Sequence, residues 1–420
     1  MGFATSWLNE RALFPELIKE APDNATGIIV VVPAYNEPGI TTLLDSLNSC
    51  TAPLCKVEII IVVNARHGAD NEAILNNSRC IRNIECWKNE NTNCIYRLYV
   101  FNAGEPSVAG WGVGLARKTG MDEALRRFSA IDRPDGVIVC LDADCIVQKN
   151  YFVSIEKDLL NNRDNTACSI YFEHPLKGDD LPESVYRHVI LYELHLRYYI
   201  RGLKYSGFPY YFHTVGSAMA VKAFQYIKAG GMNRKQAGED FYFVQKLVPL
   251  GGYFALNSTT VYPSPRGSLR VPFGTGATMS RLLKNPEEKF LTYDFRAFRE
   301  LRSLFMIAAK LFQSNERETG DYYMEFPEGL RSFIGEHEWL SKIAEIRGNT
   351  SGDQSFLKRF FGWFNMFRIV KYLNYVHSGI FEKQQVADSA CALLLAEGYK
   401  TDSRDPLDLL VRFRSADKGS

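Results

Sequence analysis

Two aspartates one residue apart, Asp142 and Asp144, follow five apolar residues, Val137 to Leu141. That run reads as a buried strand, and its end sets both carboxylates at the edge of a sheet, where parallel sheets bind ligands. Carboxylates there cost desolvation unless a cation or ligand hydroxyls offset it. Asp142-Ala143-Asp144 is therefore a candidate divalent-cation site for a phosphate-bearing substrate. A second acidic pair, Glu239-Asp240, opens a helical pattern after Gly238. A carboxylate so placed can take a proton from a hydroxyl within hydrogen-bond reach, or simply cap the helix and complement its dipole. Arg117 and Lys118 come near the start of a helix after a Gly-rich loop. A helix start favours anions, and the alternative is a solvated basic pair. Arg266 and Arg270 lie in the Pro/Gly-rich stretch Tyr262 to Arg270. Two guanidiniums on such a loop can close over a diphosphate through bidentate contacts, or stay in solvent as structural charges.

The elements that must position these groups can be read from periodicity. Ile28 to Val32, Val57 to Val63, Cys94 to Phe101 and Val137 to Leu141 read as strands, with Pro33 ending the first. Leucines 43, 44 and 47 mark a helix, Asp70 to Asn91 reads as helix plus loop, and Leu115 to Phe128 as a helix. Residues 152–160 look helical, Thr166 to Phe172 strand-like, Leu181 to Leu203 a long amphipathic helix, and residues 253–262 one or two strands. Alternation of this kind argues for an α/β layer architecture with a mainly parallel sheet flanked by helices. Composition shifts near residue 270, and the chain beyond reads as mostly helical with a polar insert at Glu316 to Asp321. The expected division is residues 1–268 and a helical region at residues 269–420.

Composition sets the remaining bounds. With 420 residues, 46% hydrophobic and 23% charged, the chain can bury a substantial core. A net charge of +1 gives no electrostatic argument for nucleic acid. Nine cysteines, an odd number without a C-x-x-C pair, read mainly as free thiols of a reducing compartment, with a disulfide or zinc cluster in Cys50 to Cys94 as the alternative. No signal peptide and no membrane-spanning apolar run is visible, so a cytoplasmic protein is expected. Phe356 to Val376 mixes aromatic and basic residues, which suits either a peripheral membrane contact or a core helix with snorkelling cations.

Four segments in order, Val31-Val32-Pro33-Ala34-Tyr35-Asn36-Glu37, Ala116-Arg117-Lys118-Thr119-Gly120, Asp142-Ala143-Asp144, and Gly230-Gly231 with Gly238-Glu239-Asp240, resemble the GT-A glycosyltransferases, in particular family 2. The resemblance covers residues 27–262 and implies a Rossmann-like nucleotide-binding domain. It implies a nucleotide-sugar donor held by Pro33, Tyr35, Glu37, Asn64, Arg117, Asp142, Arg266 and Arg270. It further implies Mn²⁺ or Mg²⁺ on Asp144 with Asp142, and inverting transfer with Asp240 as base and Glu239 assisting. Asn64 stands where many members have Asp, which leaves a UDP-sugar first and a GDP-sugar second. Lys118 departs from the usual Asn. No histidine between His213 and His337 supplies the third metal ligand many such enzymes use; His174 and His213 are spare candidates for acceptor contact. Without a Q-x-x-R-W signature, single transfer to a saccharide, lipid-linked or other small acceptor is expected rather than polymer synthesis. A nucleotidyltransferase and a non-catalytic nucleotide-sugar binding protein are the rival readings, the first disfavoured by Pro-Ala-Tyr-Asn-Glu after the first strand.

Overall fold

The computed structural model describes residues 2–65, 68–104, 111–234, 238–267, 274–285 and 289–419. Where composition suggested one cut near residue 268, the chain packs as two units that exchange segments. The first holds residues 1–186 and 214–283, the second residues 187–213 and 284–420.

The first unit is built on eight strands: β1 (Thr26–Ala34), β2 (Lys56–Asn64), β3 (Tyr96–Gly104), β4 (Val137–Cys140), β5 (Ile146–Val147), β6 (Ala167–Phe172), β7 (Met219–Lys222) and β8 (Tyr253–Tyr262). They form one sheet in the order β3-β2-β1-β4-β7-β6-β8-β5. β1 to β4 pair in parallel, and β6 pairs in parallel with β8. β7 and the short β5 run against their neighbours. The expected α/β class, a mainly parallel sheet flanked by helices followed by a mostly helical region, is what the chain forms. All nine residues of β1 are buried, as continuous apolar runs in parallel sheets require when both faces are covered.

The helices along this part of the chain are α1 (Thr5–Arg11), α2 (Ile40–Asn48), α3 (Asn71–Glu90), α4 (Val113–Ala130), α5 (Tyr151–Ile155), α6 (Glu183–Ser206, which belongs to the second unit beyond residue 186), α7 (Ala223–Lys228), α8 (Glu239–Leu247) and α9 (Thr275–Lys284). α3 fills the polar stretch expected as helix plus loop, and Asp70 caps it by accepting the Ala73 N–H at 2.7 Å. α4 lies close over β1 because Gly120 has no side chain: a Cβ there would sit 2.4 Å from Val31 Cγ1. Positions three apart share a helix face, so Arg117 points the same way as Gly120, toward the strand ends. The outer face of α4 is covered by the N-terminal arm, where Glu123 accepts the Leu17 and Ile18 N–H groups at 3.2 Å each. Beneath it, Arg127 grips Glu58, a fully buried carboxylate inside the apolar run of β2, at 2.5 and 2.8 Å.

Pro33 does not end β1. The strand continues through Pro33 and Ala34, paired with Val62 and Val63 of β2. On the other side β4 pairs only as far as Val31↔Cys140. The missing Pro33 N–H faces that side, past the end of the ladder, so no sheet bond is lost.

The second unit takes residues 187–213, the rest of α6 and the segment after it, and adds α10 (Phe295–Met306), α11 (Glu316–Glu325), α12 (Glu328–Ile334), α13 (Glu336–Gly348), α14 (Asp353–Trp363), α15 (Met366–Val376), α16 (Val386–Ala396) and α17 (Pro406–Lys418). The expected polar insert at Glu316 to Asp321 is instead the first part of α11, started by a capping box between Asn315 and Glu318. The segment Phe356 to Val376 is two helices, with the break at Phe364-Asn365. Phe356, Phe360, Phe364, Ile369 and Tyr372 are fully buried within the unit. Arg368 stacks over Phe333, Trp363 and Phe364 and pairs with Glu338 at 2.7 Å. These aromatic faces serve the core, the alternative to a membrane contact. No helix among the described residues is long and apolar enough to cross a membrane. All nine cysteines are free thiols.

Candidate active site

Strand order reverses between β1 and β4, a switch point of the kind that opens a crevice beyond the strand ends. The segments leaving those two strands carry Glu37 on one side and Asp142 and Asp144 on the other. Leu141 stays tied to the sheet through its N–H on the Val31 carbonyl at 3.1 Å, so the aspartates leave from a fixed point.

Two arginines bind these acids into pairs. Arg266 reaches Glu37 with Nη2, and the same guanidinium meets Asp144 Oδ2 through Nε at 3.2 Å and Nη2 at 3.1 Å. Arg117 donates from Nη2 to Asp142 Oδ1 at 2.7 Å and from Nη1 to Glu239 Oε1. The Arg117 side chain is 2% exposed, while those of Asp142 and Asp144 are 38% and 28% exposed. Asp142 and Asp144 thus open toward solvent, and Arg117 lies behind them. Burial works against the Arg117 charge, but Asp142 and Glu239 outweigh it and hold the guanidinium above its ordinary range. Its Nε is buried without a hydrogen-bond partner among the described residues.

Arg117 was expected near a helix start. The helix begins at Val113, so Arg117 stands more than a turn inside it, and its charge is spent on two carboxylates rather than turned to a helix-end anion. Lys118 is neither an anion ligand at a helix start nor a solvated base. It is 3% exposed, donates to Asp122 at 2.8 Å four residues on, and lies 5.3 Å over the Trp7 ring.

Glu239 is buried and Asp240 half-buried at the start of α8. Asp240 Oδ1 accepts the Phe241 N–H at 2.7 Å. Its other oxygen faces Gly216, where a Cβ would sit 3.1 Å from Asp240 Oδ2 and 3.0 and 3.1 Å from Arg117 Nη1 and Nη2. Arg117 and Asp240 are thus no farther apart than the sum of two such distances, and glycine at 216 is what leaves them room. Burial, then the neighbouring Glu239 charge, pushes the Asp240 carboxyl up to about 6, against the opposing pull of Arg117. The segment around Gly216, Thr214 to Val221, is in sequence only a short apolar stretch. Its one usable signal was a glycine three residues before β7.

Asn64 ends β2 as expected, yet its amide is already spoken for. Nδ2 donates to the Ala34 carbonyl at 3.1 Å, and Oδ1 accepts the Trp111 indole N–H at 3.2 Å. Its backbone carbonyl accepts from Asn77 Nδ2 at 2.8 Å, and Asn77 Oδ1 accepts the Asn36 N–H at 2.8 Å. Asn64 is a buried tie between β1, β2 and the loop before α4. Tyr35, next to Ala34 in sequence, is half-buried. His174 is buried edge-on to Phe172, and His213 lies 3.9 Å from Asp417 within the second unit. Arg270 falls outside the described residues.

The residues present suit a divalent cation. Among the described residues, Glu37, Asp142, Asp144, Glu239 and Asp240 set five carboxylates against Arg117 and Arg266, an excess of three negative charges once Asp240 is ionised. An anionic diphosphate would meet that excess unless further positive charge came with it, and hard oxygen donors match Mn²⁺ or Mg²⁺. No group of three His, Cys, Asp or Glu side chains is arranged to hold a metal by itself among the described residues.

No protein-family model matches the chain, and no curated protein matches it. Among solved structures, residues 1–349 of S. aureus TarS in complex with UDP are 14% identical with a TM-score of 0.37, over 84% of this chain and 90% of that one. The same protein in complex with UDP-GlcNAc gives 14% and 0.39, over 80% and 92%. Glucosyl-3-phosphoglycerate synthase from Mycobacterium tuberculosis, in complex with Mn²⁺, UDP-glucose and phosphoglyceric acid, gives 16% and 0.33, over 55% and 70%. Superpositions this loose leave the functional reading to the site's own geometry.

Proposed function

We propose that the chain is a glycosyltransferase that moves a sugar from a nucleotide-sugar, a UDP-sugar first and a GDP-sugar second, to a saccharide, lipid-linked or other small acceptor by single inverting transfer. One observation carries this reading: the guanidinium of Arg117 joins Asp142, beside the proposed donor phosphates, to Glu239, next to the proposed base. Donor and acceptor chemistry then meet at one buried cation.

Asp144 and Asp142 are the residues that would hold Mn²⁺ or Mg²⁺, which supplies positive charge for the departing diphosphate. Asp240 accepts the proton of the acceptor hydroxyl as that oxygen bonds to the sugar C1, and the C1–O bond to the nucleoside diphosphate breaks on the opposite face. A base with a pKa of about 6 is largely ionised at neutral pH and still a competent acceptor. Arg117 keeps Glu239 and Asp142 in place around it. Glu37 and Arg266 line the donor side.

Incubation of the full chain with a panel of UDP- and GDP-sugars and Mn²⁺ tests the reading. Release of nucleoside diphosphate from one of them, lost in Asp144→Ala, is the expected result. Pyrophosphate as product would mark a nucleotidyltransferase, and binding without turnover a binding protein; either overturns the proposal.

A further inference from the structure

Arg266 holds a position that the proposed chemistry needs for something else. Its side chain is about one-third exposed, unlike the sealed Arg117, and it bridges Glu37 from the β1 side to Asp144 from the β4 side. Burial lowers the stability of its charge, but the hydrogen bond to Glu37 and the charge of Asp144 more than restore it. The Asp144 oxygen that meets Arg266, Oδ2, accepts from two nitrogens of one guanidinium. A divalent ion placed on that oxygen would face a fixed positive charge at hydrogen-bond distance, a repulsion that neither partner can relieve while both stay.

We propose that Arg266 is a resident cation on Asp144 Oδ2 in the free protein, and that a divalent ion gains this oxygen only by exchange, when a nucleoside diphosphate offers the guanidinium phosphate oxygens instead. The proposal rests on the donor-site reading above. Charge count favours exchange over simple addition. Arg266 leaving Asp144 for a phosphate trades one anionic partner for another, with bidentate geometry available in both. Oδ2 of Asp144 then takes the ion, and the net charge of the pocket changes only by what the ligands bring. Glu37, 4% exposed, keeps the guanidinium tethered during the swap. The ion is then drawn in with its nucleotide rather than held permanently, in keeping with the lack of a three-ligand protein cluster among the described residues.

Exchange predicts a thermodynamic coupling that is reciprocal between the two ligands. Mn²⁺ binding to the full chain, followed by electron paramagnetic resonance without turnover, is to be measured with and without saturating UDP in the native protein, Arg266→Gln, Arg266→Lys and Asp144→Asn. The native protein is expected to bind Mn²⁺ about tenfold or more tightly with UDP than without, a size common for coupled sites. Arg266→Gln is expected to tighten Mn²⁺ without UDP and to lower the coupling clearly below the native value, leaving what the ion and the diphosphate contribute by attracting each other directly. Arg266→Lys, which keeps the charge but loses the planar fork, is expected to fall between. A mere field effect of the lost charge would tighten Mn²⁺ equally in both conditions. An unchanged coupling factor in Arg266→Gln, with native-like UDP binding, overturns the exchange while leaving the donor site standing. Asp144→Asn indistinguishable from the native protein overturns the donor-site reading itself.

Discussion

Arg117 and Glu239 are joined side chain to side chain across 122 positions of sequence, and the guanidinium that joins them is almost wholly buried. This bond pins the start of α8 to the middle of α4. It sets a negative charge beside Asp240 and neutralises it from behind, so that Asp240 keeps a raised but accessible pKa. Breaking a buried pair of this kind costs about 3–5 kcal/mol, because the orphaned charge stays buried.

The pH dependence of the reaction follows from that arrangement. A raised carboxyl pKa means that Asp240 carries a proton below about 6 and cannot accept another. The acid limb of kcat/KM should therefore rise through about 6. Glu239→Gln removes a charge that raises Asp240, so the limb should move to lower pH. Asp240→Asn should lower kcat by about 10²–10⁴-fold with donor affinity kept. An acid limb that stays at the same pH in Glu239→Gln would assign the titration to another group.

Gly216 limits the space around the base. In Gly216→Ala the new methyl meets Asp240 Oδ2 and both Arg117 terminal nitrogens at 3.0–3.1 Å, tighter than side chains normally accept. The catalytic groups must yield by a few tenths of an ångström, and small misplacements are costly in rate. We expect kcat to fall about tenfold or more with the circular dichroism spectrum unchanged. Steady-state kinetics beside a thermal melt separates this from unfolding.

Asn64→Asp tests whether this position reads the base. The Asn64 amide donates to Ala34 O, and a carboxylate would set two acceptors face to face at 3.1 Å in a buried site. The expected outcome is a loss of about 1–3 kcal/mol in denaturant melts, the usual cost of an unsatisfied buried acceptor. The preference between UDP and GDP should not change. A switched preference at native stability would restore Asn64 to the base pocket.

Lys118 offers the matching control on the anion side. Lys118→Met strands Asp122, itself buried and bonded to the Tyr226 hydroxyl at 2.7 Å, and should cost about 3–5 kcal/mol. UDP affinity should stay within error of the native value. Isothermal titration beside a urea melt reads both, and weakened UDP binding at unchanged stability would return Lys118 to the phosphate site.

The alternation of apolar runs with helical spacing was enough to place β1 to β4, β6 and β8, though not the short β5 and β7, because continuous burial in a parallel sheet leaves a compositional trace that needs no partner to be read. Asp142-Ala143-Asp144 was legible for the same reason: charge directly after a buried run must lie at a strand end. Sequence also put Glu239-Asp240 at a helix start, where α8 begins. It could not show which acid meets which base. Arg117 and Lys118 are adjacent letters of like charge, yet one faces the strand ends and the other Asp122, because neighbours on a helix point about 100° apart. Asn64 looked free to read a ligand until Ala34 and Trp111, distant in sequence, claimed both ends of its amide. Local patterns fix elements because their physics is short-ranged. Pairing among charges depends on distances that exist only once the chain has folded, so the wiring of Glu37, Arg266 and Asp144, and of Asp142, Arg117 and Glu239, was decided by tertiary structure alone.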